Sequence, residues 1–147
     1  MNFRPVRMAL LAGLIVMLPA MSANAQLQSP EQMFGFHPGD DYKLASYAQM
    51  EDYYRQLAAN SNRVTIREIG RSALDRPLYL LTITSPENHT NLDRYRTISR
   101  QLARARVDAE SAEAMAVEGR AVVWIDAGLH ATEVAHAQMA PQLAHRI

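Results

Sequence analysis

The 147-residue chain contains no cysteine. That absence excludes disulfides, thiolate zinc sites, a cysteine nucleophile and a lipid carried on cysteine. It leaves the compartment open, because disulfides are optional even in an oxidising one. Net charge is also missing: 15 basic residues balance 15 acidic ones. A chain of zero net charge has no general pull toward nucleic acid or acidic lipid. No internal repeat, glycine-rich phosphate loop or Gly-x-Ser-x-Gly elbow occurs. Ser72 and Ser85 read as turn serines with no paired base nearby in sequence. What is present is length for one domain at most, and 48% apolar residues, sufficient for a core.

Residues 1–25 read as a signal peptide rather than as part of the fold. Arg4 and Arg7 form a basic start, Met8 to Met21 is an apolar stretch, and Ala23-Asn24-Ala25 has the small-x-small form of a cleavage site. The apolar stretch is short for a membrane span. Cleavage is expected between Ala25 and Gln26, giving a secreted or periplasmic protein with no stable membrane insertion. It would remove two of the 15 basic residues and none of the 15 acidic ones.

Residues 26–41, with Pro30, Gly35, Pro38 and Gly39, are expected to form an irregular lead-in. His37 is read there as a surface-loop histidine. Ser46 to Ala59 is a predicted helix: Tyr47, Met50, Tyr53, Tyr54 and Leu57 recur at helical spacing, and Ser46 with Gln49 makes a capping box. The tyrosines are expected to face the core. Val64 to Ile69 and Pro77 to Thr84 are predicted strands joined by a turn over Gly70 to Arg76, hence a hairpin. The second is nearly continuous in apolar residues and is expected to be central. Pro77 is tolerated at a strand's first position.

Ser85 to Asn91 reads as a loop. Leu92, Tyr95, Ile98, Leu102 and Ala105 then mark one helix face. Arg94, Arg96, Arg100, Arg104 and Arg106 line the other. No aromatic platform or groove motif accompanies these arginines, so they read as a solvated face and not as a nucleic-acid surface. Ala109 to Val117 is a further short helix, with Gly119 as its C-cap.

The candidate chemistry lies near the end. Ala121 to Ile125 is an unbroken, β-branched apolar run, which predicts a strand buried on both faces. Asp126-Ala127-Gly128 stops it. His130 and Glu133 follow, where a helix is expected to begin, and side chains three apart on a helix share one side. A neutral imidazole and a carboxylate at the carboxyl end of a buried strand are two thirds of a His₂Glu zinc site. That edge of an α/β sheet is where ligands bind. A His-x-x-Glu pair is by itself common on solvated helix faces. Gly128 and Ala131 favour the ligand reading, because small residues let metal and substrate approach the backbone. The helix continues through Val134 to Leu143, with Pro141 expected to kink or restart it. His136 starts about 4.5 Å further up the axis at 1.5 Å per residue. It reads as a helix-surface or packed histidine, and His145 as unrelated to the site.

Taken together these residues resemble the zinc metallocarboxypeptidases of the carboxypeptidase A/B-like family. Ile69-Gly70-Arg71-Ser72 through Arg76-Pro77-Leu78-Tyr79-Leu80 is similar to that family's first hairpin, and Gly128-Leu129-His130-Ala131-Thr132-Glu133 to its Gly-x-His-x-x-Glu motif. The resemblance implies an α/β fold, a mixed twisted β-sheet flanked by helices. Residues 42–147 would be the amino-terminal part of the catalytic domain. It implies one Zn²⁺ per chain with His130 and Glu133 as two ligands, and a peptide or protein substrate cut by metal-activated water. The family's third ligand, a histidine, and its catalytic glutamate would lie beyond Ile147, leaving residues 1–147 inactive alone. Asp75 stands where a glycine is common, and Thr132 where digestive-type enzymes carry a substrate-binding arginine, which leaves substrate preference open. The alternative is a non-catalytic relative of the same fold that binds peptides or glycans. A third reading is an unrelated secreted α/β binding domain in which His-x-x-Glu is accidental.

Overall fold

The computed structural model describes residues 27–147; the signal-peptide reading of residues 1–25 lies outside them. The stretch expected to be an irregular lead-in holds a short helix, α1 (Pro30–Phe34). Ser29 Oγ accepts from the Gln32 N–H at 3.2 Å while Gln32 Oε1 accepts from the Ser29 N–H at 2.8 Å. Pro30 supplies a pre-set first position, and Gly35 closes the helix in the left-handed region at φ 76°. The local signal, Ser-Pro-Glu-Gln, was present and outweighed the flanking glycines and prolines.

Helix α2 (Tyr47–Asn60) begins with the expected box between Ser46 and Gln49. Its tyrosine stripe does face inward. Tyr53 and Leu57 are 1% and 2% exposed, and with Phe34, Ala45 and Val64 they form the core. Phe34 meets Tyr53 edge-on, ring centres 5.8 Å apart, a geometry the ring quadrupoles favour.

Strands β1 (Val64–Arg71) and β2 (Pro77–Ile83) pair antiparallel, Val64 opposite Ile83 and Arg67 opposite Leu80. Glu68 faces Tyr79 and Gly70 faces Leu78, so Ile69 is the extra residue of a bulge. Ser72 ties the turn: its N–H donates to the Arg76 carbonyl at 2.8 Å and its Oγ accepts from the Arg76 N–H at 3.1 Å. Contrary to expectation, β2 is not central; among the described residues it pairs with β1 alone. Its apolar run is half-buried, with Leu81 and Ile83 against the core. A continuous apolar run expresses a demand for cover; in β2 that demand is met in part, on the core side, with Leu78 46% exposed.

The loop expected at residues 85–91 instead contains α3 (Pro86–Thr90). Ser85 is its N-cap, accepting from the Asn88 N–H at 3.3 Å, and Pro86 opens it. Helix α4 (Leu92–Ala103) buries Ile98 and keeps its arginine face in solvent. Arg94 there pairs with Glu118, and Arg96 with Asp93 at 2.7 Å. Helix α5 (Ala109–Glu118) packs beside it and starts at Asp108, whose carboxylate accepts from the Ser111 N–H at 2.8 Å. Gly119 caps α5 through its N–H to the Met115 carbonyl, but in extended rather than left-handed backbone, φ −61°.

The largest correction concerns Ala121 to Ile125. The run is not a buried strand. It carries no strand pairing, and Val122 and Val123 are 77% and 81% exposed. A strand exists through hydrogen bonds to a neighbour, and the one ladder among the described residues is β1–β2. Apolar composition states a demand for cover without supplying the partner. Helix α6 (Val134–Arg146) then runs through Pro141 as one element, without a restart. The chain is therefore α/β, helices around a small antiparallel hairpin.

Candidate metal centre

Leu129 to Glu133 form a turn and not the first turn of a helix, which corrects the expected helix start. The Glu133 N–H donates to the His130 carbonyl at 3.1 Å, and α6 begins one residue later. Gly128 enters this turn at φ 115°, backbone that side-chain-bearing residues rarely adopt. A β-carbon placed on Gly128 would sit 3.5 Å from that of Ala137, so the turn lies against the first half of α6.

Glu133 occupies the N-cap of α6 at φ −94°, ψ 67°, and its side chain makes no capping bond. A carboxylate at an N-cap ordinarily accepts from the second or third helical N–H. Here Glu133 Oε2 turns to His130 Nδ1 instead, at 2.8 Å. His136 Nδ1 lies 3.8 Å from the same oxygen, outside hydrogen-bonding reach. The side chains of His130 and Glu133 are 65% and 51% exposed. An exposed pair of this kind adds little stability, and it stays accessible to an ion and a substrate.

The donor set suits zinc, which binds both imidazole nitrogen and carboxylate oxygen. Donors each about 2.0–2.2 Å from one tetrahedral zinc stand a little over about 3 Å apart. The 2.8 Å separation of His130 and Glu133 needs only a small side-chain rotation to reach that. The pair fits as part of a site. Among the described residues no group of three or more His, Cys, Asp or Glu is gathered around one point.

Three of the other four histidines have different partners. His37 lies on an exposed loop against the Pro38 carbonyl. His89 Nε2 lies 2.9 Å from the Arg63 carbonyl. His145, in the last turn of α6, lies 3.0 Å from the Tyr53 hydroxyl. His136 is a half-exposed helix-surface histidine. Sequence reasoning brought His130 and Glu133 together correctly. It missed Gln138, whose side chain reaches Ala45, 93 residues away; no local spacing encodes such a contact.

Comparison with curated proteins gives no match, and comparison with solved structures gives none. A family model described as zinc carboxypeptidase matches residues 50–147. The match takes in most of α2, the β1–β2 hairpin and the whole of the His130–Glu133 turn, about two thirds of the chain. On that extent, and with an imidazole–carboxylate pair at its carboxyl-terminal end, the chain belongs to the zinc carboxypeptidase family.

Proposed function

We propose that His130 and Glu133 are two ligands of one catalytic zinc, in an exported metallocarboxypeptidase acting on peptides or proteins. The observation that carries this is the 2.8 Å approach of His130 Nδ1 to Glu133 Oε2 on an accessible turn, made by a carboxylate that forgoes its helix cap. Membership of a zinc carboxypeptidase family supports it. Bound zinc would lower the pKa of a water and polarise the scissile carbonyl. The chain's own contribution is to aim the two donors, to hold them on one side of the Gly128 turn, and to keep that side open. A histidine and a general-base glutamate in the sequence following Ile147 are part of this proposal, because a His₂Glu site needs a third ligand and proton transfer needs a base. Export through residues 1–25 is part of it too. Among the described residues no helix is long and apolar enough to cross a membrane.

The test is metal analysis of the full-length protein. One zinc per chain is expected, with most of it lost in His130→Ala and in Glu133→Ala. The wild type should release carboxyl-terminal amino acids from peptides. Unchanged zinc in His130→Ala would reject the assignment, and an intact amino terminus on exported protein would reject processing after Ala25.

A further inference from the structure

Helix α6 carries Glu133 at its head, yet its two halves are held differently. The second half is anchored by apolar burial and by the Tyr53–His145 contact. Pro141 is buried and Ala144 packs on the core. The first half has little such cover, with Val134 43% and Met139 44% exposed. Pro141 has no N–H to offer the Ala137 carbonyl, so the link between the halves lacks one helical hydrogen bond. The head of the helix therefore needs a tether of its own.

Gln138 provides one. Its Oε1 accepts from the Ala45 N–H at 2.8 Å and its Nε2 donates to the Ala45 carbonyl at 3.0 Å. One side-chain amide carries both an acceptor and a donor, so a single glutamine engages both polar backbone groups of Ala45. The opposite amide orientation would set oxygen against oxygen, which fixes the assignment. Ala45 is 5% exposed and directly precedes Ser46, the N-cap of α2. Beside Gln138, Ala137 meets the Gly128 turn that leads to His130. Ala45 lies outside the stretch matched by the family model.

We infer that Gln138 is a positioning residue for the His130–Glu133 pair: its two-bond clamp on Ala45 sets the orientation of the first half of α6. That half carries Glu133 at its N-cap and backs the Gly128 turn. The inference rests on the zinc reading of that pair.

The experiment measures zinc affinity of the full-length protein by chelator competition, together with the melting temperature of the zinc-free form. Gln138→Met keeps the length and removes both bonds. It should weaken zinc binding about 10-fold, the usual scale for losing a support of a ligand. Tyr53→Phe cuts the hydrogen bond between α2 and the second half of α6 and serves as the control: it should lower the melting temperature and leave zinc affinity within about twofold, well under that ligand-support scale. Unchanged affinity in Gln138→Met overturns the inference, and so does equal weakening in Tyr53→Phe, which would mark general loosening. Should Gln138→Met fail to fold, Gln138→Glu keeps the acceptor for the Ala45 N–H and loses the donor. Weaker zinc binding there supports the clamp, and unchanged binding overturns it. A wild type whose zinc is lost in His130→Ala but kept in Gln138→Met refutes the positioning role alone. A wild type that binds no zinc refutes both readings.

Discussion

The hydroxyl of Tyr53 lies 3.0 Å from Nδ1 of His145, joining α2 to the last turn of α6 across 92 residues of sequence. Tyr53 is also the most buried aromatic of the core, 1% exposed, so its polar tip had to find a partner inside the fold.

Tyr53→Phe is expected to cost about 1 kcal/mol, the usual net worth of a buried hydrogen bond. It should also change the alkaline limb of the stability curve. Burial pushes the Tyr53 phenol up from 10.0 to about 12. A raised folded-state pKa means the neutral phenol is favoured in the native state. Its contribution is complete below pH 10 and is lost as pH rises through about 12. Tyr54 is also raised by burial, so part of the alkaline loss should remain in the variant. Urea midpoints from pH 9 to 12 check this. Wild type and Tyr53→Phe falling in parallel above pH 10 would contradict it.

Gly119→Ala should destabilise by about 1–3 kcal/mol, the range for overpacking. The added carbon would sit 2.9 Å from the Met115 carbonyl oxygen and 3.1 Å from Ile98 Cγ2. The glycine is needed for the close approach of α4 and α5, not for its φ of −61°. Gly70→Ala is the contrast: a β-carbon there meets nothing within 4 Å, and its melting temperature should not fall below that of the wild type, since alanine also removes unfolded-state freedom. Equal effects at the two positions would remove the packing explanation.

Asp75→Gly should raise stability by about 0.5 kcal/mol. Asp75 holds the hairpin turn at φ 57°, a conformation that costs a side-chain-bearing residue about 1–2 kcal/mol. The Arg71–Asp75 pair lost with it is 3.3 Å long with Asp75 83% exposed, so little is forfeited. The greater freedom of glycine in the unfolded chain offsets part of the gain. A shift of the urea midpoint at unchanged slope reads this directly. Asp75→Ala should move the midpoint the other way, and a lower midpoint in Asp75→Gly would refute the strain.

Much of the fold can be read locally. Ser46 and Gln49 announce α2 because a capping box satisfies orphan backbone groups within four residues. The helical spacing of Tyr53 and Leu57 marks the face that became the core. Ser29-Pro30-Glu31-Gln32 carries the same signal and was masked by its glycine- and proline-rich neighbours. Ser85-Pro86 at the head of α3 was masked in the same way.

The His130–Glu133 pair belongs to the same local class, since two side chains three residues apart meet in a turn as readily as in a helix. Sequence alone therefore determined the capped helices, the hairpin and the meeting of imidazole with carboxylate, all set by interactions within a few residues. The tertiary structure alone decided the rest. It left Val122 and Val123 exposed and unpaired, and set Gln138 on Ala45 and Tyr53 on His145. Each of these depends on which distant segment arrives to share a hydrogen bond or cover an apolar face. Periodicity along the chain states that demand and says nothing about which segment answers it.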